Sequence, residues 1–225
     1  MFSSKIVCSF SLIFTINEVF TQESCFNREL PAPSCITEKN GLSPGEKESI
    51  LVKHNKLRKC LASGAEGTGS NNYGQPAAAY MPDLEWDEKL AKLAQKWADT
   101  CNYGHDRCLF GNAMGQNLGF ISHSDESQLN YPSIVQGWYD EVKIFDGSQV
   151  ENVMNFGGSA HYTQMISANT TKIGCGAIRY KSDGMTRIQL TCNYSPFVNM
   201  MGNGLYKKGT INQQMPSSGN PYHCE

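Results

Sequence analysis

Three stretches of this chain repeat apolar residues every three to four positions, and two others alternate. "SPGEKESILVKHNKLRKCL" opens with Ser43, Pro44 and Glu46, which are an N-cap, a proline at the first helical position and the partner of a capping box. A helix is predicted to start there, with Ile50, His54, Leu57 and Leu61 on its apolar face, and to end before the Gly/Ser/Asn-rich stretch 63–74. A second helix is predicted from about Asp87 to Cys101, where Leu90, Leu93, Ala94 and Trp97 form a 3.6-residue stripe. A third falls in "YPSIVQGWYDEVKIF", with Ile134, Trp138, Glu141 and Phe145 inward. "QNLGFIS" is short and partly alternating, which suits a strand. "TKIGCGAIRYKSDGMTRIQLTCNYS" reads as a hairpin about an Asp183-Gly184 turn. Cys175 lies eight residues before Asp183 and Cys192 eight after Gly184, so symmetric register sets them opposite each other, within disulfide reach. These elements predict an α+β fold with helices covering an antiparallel sheet.

Glu141 breaks the pattern of its helix. A carboxylate on an inward stripe is costly unless something polar meets it. Three readings stand: a surface glutamate at the edge of the stripe, a carboxylate bonded to backbone amides, or a partner of another polar side chain.

Composition narrows the class. At 225 residues, 40% hydrophobic and net charge -2, the chain suits one domain and offers no basic field for nucleic acid. The N-terminus has one cation, Lys5, then an apolar run from Ile6 to Ile16 too short to span a bilayer. Residues 1–21 are therefore expected to be a signal peptide cut near Gln22, with no transmembrane segment. A membrane anchor is the alternative, but no second apolar segment of spanning length follows. Its removal takes Cys8 and leaves eight cysteines, an even number that in a secreted, extracellular protein implies four disulfides. A Pro- and Cys-rich arm over 22–42, ordered by its crosslinks, precedes the main domain at 43–200. A polar tail over 201–225 ends near Cys224.

"HNKLR", "GQNL", "AHYTQM" and "CNYSPFVNM" occur in the order and spacing of the CAP superfamily of cysteine-rich secretory, antigen 5 and pathogenesis-related 1 proteins. Over Cys25 to Met200 the chain resembles, within it, the insect antigen 5 group of venom and salivary allergens. The resemblance implies a three-layer α/β/α sandwich and a cleft lined by His105, Gln116, Glu141 and His161, in which His161 faces Glu141 and His105. Many relatives carry glutamate where this chain has Gln116, although antigen 5 proteins often share the glutamine. Trp is usual at Ser167, and Gly at Ala160. The resemblance also pairs Cys35 with Cys101, Cys25 with Cys108, and Cys175 with Cys192. Cys60 and Cys224 have no counterpart in that pattern and are expected to bond to each other, the alternatives being a free Cys224 or a link between chains.

Two imidazoles suit zinc or copper, with Glu141 as a third ligand or as the base for a bound water. Against a strong site, no HExxH is present and Gln116 removes a carboxylate, so His105 and His161 are expected to bind such a metal weakly, with no cofactor required. No GxSxG surrounds Ser159, which reads as a helix cap, and the cysteines are taken by disulfides. His54 reads as a hydrogen-bonded core residue, and His123 and His223 as loop residues without a role. Of the two sequons, Asn169 is expected to carry a glycan; Asn193, in a strand and followed by Pro196, is not. The expected function is a secreted, monomeric, non-enzymatic protein of venom or saliva, a potential allergen that binds a host protein or a small apolar ligand such as a sterol or fatty acid. The alternative is a metal-dependent hydrolase using His105, His161 and Glu141.

Overall fold

The computed structural model describes residues 25, 27–70, 74–197, 199–209 and 223–225. The expected signal peptide lies outside them. Helix α1 spans Pro44–Ala62, and both halves of its capping box are made: Glu46 N donates to Ser43 Oγ at 3.3 Å and Ser43 N to Glu46 Oε2 at 2.7 Å. Ile50, His54, Leu57 and Leu61 are buried as the period requires, and so is Arg58. Its guanidinium donates to the carbonyls of Pro82, Met165, Ser167 and Thr170, tying α1 to the turn that follows the last helix. Burial pulls the Arg58 pKa down to about 10, so the group stays charged at neutral pH.

Strand β1 is Thr37–Asn40 and β2 Glu85–Trp86; α2 is Glu88–Ala98, capped by Asp87, which accepts from the amides of Lys89 and Leu90. α2 stops short of Cys101, whose φ of 57° is incompatible with continuing the helix. A four-residue helix α3, Arg107–Phe110, follows, then β3, Gly115–His123. The predicted third helix is divided: α4 covers Tyr131–Tyr139, and Asp140–Ile144 tighten into a 3₁₀ segment. α5 is Ala160–Met165, and β4 (Lys172–Ser182) and β5 (Met185–Ser195) form the long hairpin. Asp183 and Gly184 both have positive φ, 52° and 75°, the requirement of the tight turn, and Cys175 stands opposite Cys192 and bonds to it.

The sheet runs β1-β4-β5-β3, antiparallel throughout, with β2 added parallel to β4. Glycines set the layer spacing. A Cβ on Gly176 of β4 would stand 2.3 Å from Gln95 Cα, so α2 lies directly on that face. A Cβ on Gly119 of β3 would stand 2.4 Å from Ile134 Cγ2, so α4 lies on the other. α1 and α5 share the α4 side, where Ile50, Leu57, Trp138, Tyr162, Ile173, Leu190 and Tyr194 belong to the main core. A smaller cluster of Cys25, Leu90, Leu93, Leu109 and Met114 sits on the α2 side. The result is the three-layer α+β sandwich.

Both ends of the chain carry the expected disulfides and more structure than their composition suggested. The arm is held by Cys25–Cys108 and Cys35–Cys101, and also by β1, which pairs with β4 from Ile178 to Tyr180. Beyond Met200 the folded unit continues: Leu205 and Tyr206 are buried in the main core, Lys208 bridges to Ala78, and Cys224 bonds to Cys60. A polar composition concealed this because the two apolar residues meet partners distant in sequence. Among the described residues no helix is long and apolar enough to cross a membrane.

Candidate functional site

Glu141 enters from the 3₁₀ turn after α4 and meets the N-terminus of α5. Its Oε2 accepts from the amides of His161 at 2.9 Å and Tyr162 at 3.1 Å, and Oε1 lies 2.6 Å from His161 Nδ1. Ser159 stands at the N-cap position of α5, but its hydroxyl donates to the Phe156 carbonyl, and Glu141 caps the helix in its place. Both polar readings of Glu141 therefore hold at once: backbone amides and His161. A carboxylate only accepts, so Nδ1 of His161 carries the proton of this bond, and in the neutral ring Nε2 is the nitrogen with the lone pair. The ring stacks on Trp138 with centroids 6.1 Å apart, Asn117 Nδ2 holds the His161 carbonyl at 3.1 Å, and the imidazole is 33% exposed.

His105 belongs to a second network. Gln116 Oε1 accepts from Asp106 N at 3.0 Å and lies 3.1 Å from His105 Nδ1, while Gln116 Nε2 donates to Asn193 Oδ1 at 3.0 Å. Asn193 Nδ2 in turn donates to the Leu90 carbonyl at 3.3 Å. The backbone donor at Asp106 fixes the Gln116 amide, and that amide fixes Asn193. A glutamate at 116 would set a carboxylate oxygen against Asn193 Oδ1, which accounts physically for an amide here. Asp106 also caps α3 through Cys108 N and pairs with Arg28 of the arm.

Successive strand residues point to opposite faces, so Gln116 and Asn117 on the edge strand β3 carry the two networks to either side of it. His161 faces Glu141; His105 takes Gln116. Among the described residues no three His, Cys, Asp or Glu side chains form a group that could hold a metal ion.

The other histidines divide. His54 is a core residue bonded to the Ile50 carbonyl and the Tyr194 hydroxyl, and His123 accepts from Asp125 N in its loop. His223 has a role that sequence reasoning missed. It lies between two carboxylates: Nε2 is hydrogen-bonded to Asp140 Oδ1 at 2.9 Å, and Nδ1 stands 3.3 Å from Glu66 Oε2 without hydrogen-bond geometry. Glu66 is buried and accepts from the amides of Thr68 and Cys224, each at 2.9 Å, so it receives the chain end. The available signal was adjacency to Cys224, a residue that had to dock somewhere.

The sequence profile of the cysteine-rich secretory protein family (CAP) matches residues 51–194. The chain is 41% identical over 187 residues to venom allergen 3 of Solenopsis invicta, covering 79% of each chain. It is 39% identical to venom allergen 5.02 of Vespa crabro, over 78% of this chain and 88% of the other. Among solved structures it is similar to BmVAL-1 (TM-score 0.67, 26% identity, 80% of this chain and 88% of that one). It is also similar to NaASP2 crystallised with Zn2+ (TM-score 0.62, 26% identity, 78% and 90%). With the stapled three-layer sandwich and the four motifs in place, these matches give the conclusion that the chain belongs to the cysteine-rich secretory protein (CAP) family.

Proposed function

We propose that the protein is a secreted antigen 5-like scaffold of venom or saliva that binds a host component or a small apolar ligand, a sterol or fatty acid, and catalyses no reaction. The observation that carries this reading is the state of Glu141. Both of its oxygens are engaged, by two backbone amides and the His161 ring, so the acidic group available as a base is spent on holding α5. Secretion is supported by eight cysteines joined in four disulfides and by kinship with venom allergens. A surface for a partner is offered around the loop that leads into α5. Ile144, Met154, Met200 and Met201 are each at least half exposed there. Gly158 lies against Ile144, and Gly202 is hydrogen-bonded to Val153. A panel of esters and peptides assayed with added zinc tests the reading. No turnover together with retained ligand binding is expected; turnover abolished by Glu141→Gln would overturn it in favour of the hydrolase.

A weak metal site is a second reading, favoured by the carboxylate-bound Nδ1 of His161, the arrangement that orients a histidine as a metal ligand through Nε2. His105 and His161, which belong to networks on either side of β3, would have to close around the edge of that strand to share zinc or copper, and the neutral Gln116 leaves the site short of charge, so binding is weak. The zinc-containing NaASP2 structure supports the class of ion. Ligation needs neutral imidazole, so uptake falls on acidification. Calorimetry should show uptake by the wild type and its loss in the His105→Ala, His161→Ala double variant; equal uptake by both would refute the site.

A further inference from the structure

A groove of about 770 Å³, with no residue of β3 in its lining, lies between Ala79–Tyr80, Glu151, Asn169 and the chain segment Leu205–Lys207. Its floor is rigid. Ala168 N donates to Leu205 O at 2.7 Å, Leu205 N to Val150 O at 2.7 Å, and Ala79 N to Lys207 O at 2.8 Å, so both walls are bonded to the same segment. The lining is amphipathic. Tyr80 is 71% exposed, an aromatic face open to solvent, and Glu151 and Lys207 bring a carboxylate and an ammonium beside it. A pyranose has the complementary make-up: an apolar C–H face that packs on an aromatic ring, and a rim of hydroxyls that both donate and accept.

Asn169 lies in the wall of this groove, exposed, at the head of the sequon Asn169-Thr170-Thr171. The other sequon begins at Asn193, which is 0% exposed with its amide bonded at both ends to Gln116 and Leu90, so a modified side chain does not fit there. We propose that the groove is the seat of the protein's own N-linked glycan. The first N-acetylglucosamine on Asn169 lies against the Tyr80 ring, and its hydroxyls are met by Glu151 and Lys207. Attachment is the ordinary secretory transfer from a lipid pyrophosphate oligosaccharide. The Asn169 amide nitrogen bonds to C1 of the sugar and loses a proton, and the C1–O bond breaks with departure of the lipid pyrophosphate. The proposal rests on secretion, and the experiment separates the two.

The full chain is expressed in a glycosylating eukaryotic host as wild type, Tyr80→Ala and Lys207→Ala, both substitutions being of exposed side chains. Glycopeptide mapping of secreted protein should find Asn169 occupied and Asn193 bare. Release of the glycan by a peptide N-glycosidase should be about tenfold slower from folded wild type than from the unfolded chain, the factor that about 1.4 kcal/mol of seating produces. The folded Tyr80→Ala protein should recover most of that factor and Lys207→Ala part of it. Chain that is retained and bare would overturn the secretory reading and the seat together. Secreted protein with Asn169 bare, or with equal release rates from all three folded proteins, would overturn the seat alone.

Discussion

His54 sits fully buried with Nδ1 2.8 Å from the Ile50 carbonyl and Nε2 2.9 Å from the Tyr194 hydroxyl. Burial, reinforced by the nearby Arg58 charge and opposed by the Ile50 bond, holds its pKa down to about 4, below the ordinary 6.5. In that window the unfolded chain binds a proton that the folded one does not, so stability rises with pH and is lost on acidification from about 6.5 to about 4. The full difference is about 3 kcal/mol. Urea midpoints should fall as the pH is lowered through this range, and His54→Gln should flatten that part of the profile. An unchanged slope in the variant would show that another group is responsible. Gln116 is a second residue whose identity matters atom by atom. Gln116→Glu leaves two acceptors facing each other at the Asn193 contact, and a loss of about 1 to 3 kcal/mol is expected, read as a drop in Tm.

The short helix α5 depends on a cap supplied from another element. Replacing Glu141 by Gln keeps one acceptor but removes the charge, and a loss of about 1 to 2 kcal/mol is expected. Because the cap is local, hydrogen exchange should quicken at the amides of His161 and Tyr162 while the β4–β5 hairpin keeps its protection. Uniform quickening would mean that the carboxylate supports the whole fold. The contact of α2 with the sheet has the opposite character, since it depends on an absence of side chain. A Cβ on Gly176 meets the backbone of Gln95, which cannot rotate away. Gly176→Ala should cost about 3 kcal/mol through displacement of the helix, measurable by denaturant titration.

Across the whole molecule, the bond of longest reach is Cys60–Cys224, spanning 164 residues. Constraint of the unfolded chain by a loop of that size is worth up to about 5 kcal/mol. Cys224→Ser should therefore lower stability by several kcal/mol and should loosen the docking of His223 and Cys224 on Glu66. Non-reducing peptide maps should contain the Cys60–Cys224 crosslinked peptide. A disulfide-linked dimer that disappears in Cys224→Ser would show instead that this cysteine joins two chains.

Much of this was legible before any coordinates, and for a common reason. The cap at Ser43, the α2 stripe, the Asp183-Gly184 turn and the facing of Cys175 and Cys192 depend on residues close in sequence, whose spacing carries the periods of 3.6 and 2. His54 was readable as core from its place on a helix face, and the inward Glu141 signalled that a polar partner existed. The family resemblance had already set His161 opposite Glu141; tertiary structure added that the same carboxylate accepts from the backbone amides of His161 and Tyr162, which no side-chain pattern records. It also decided that Gln116 answers to Asn193, that Arg58 is buried among carbonyls, and that Leu205, Tyr206 and His223 belong to the folded unit. These contacts join segments far apart in the chain, and their free energy exists only once the layers have closed.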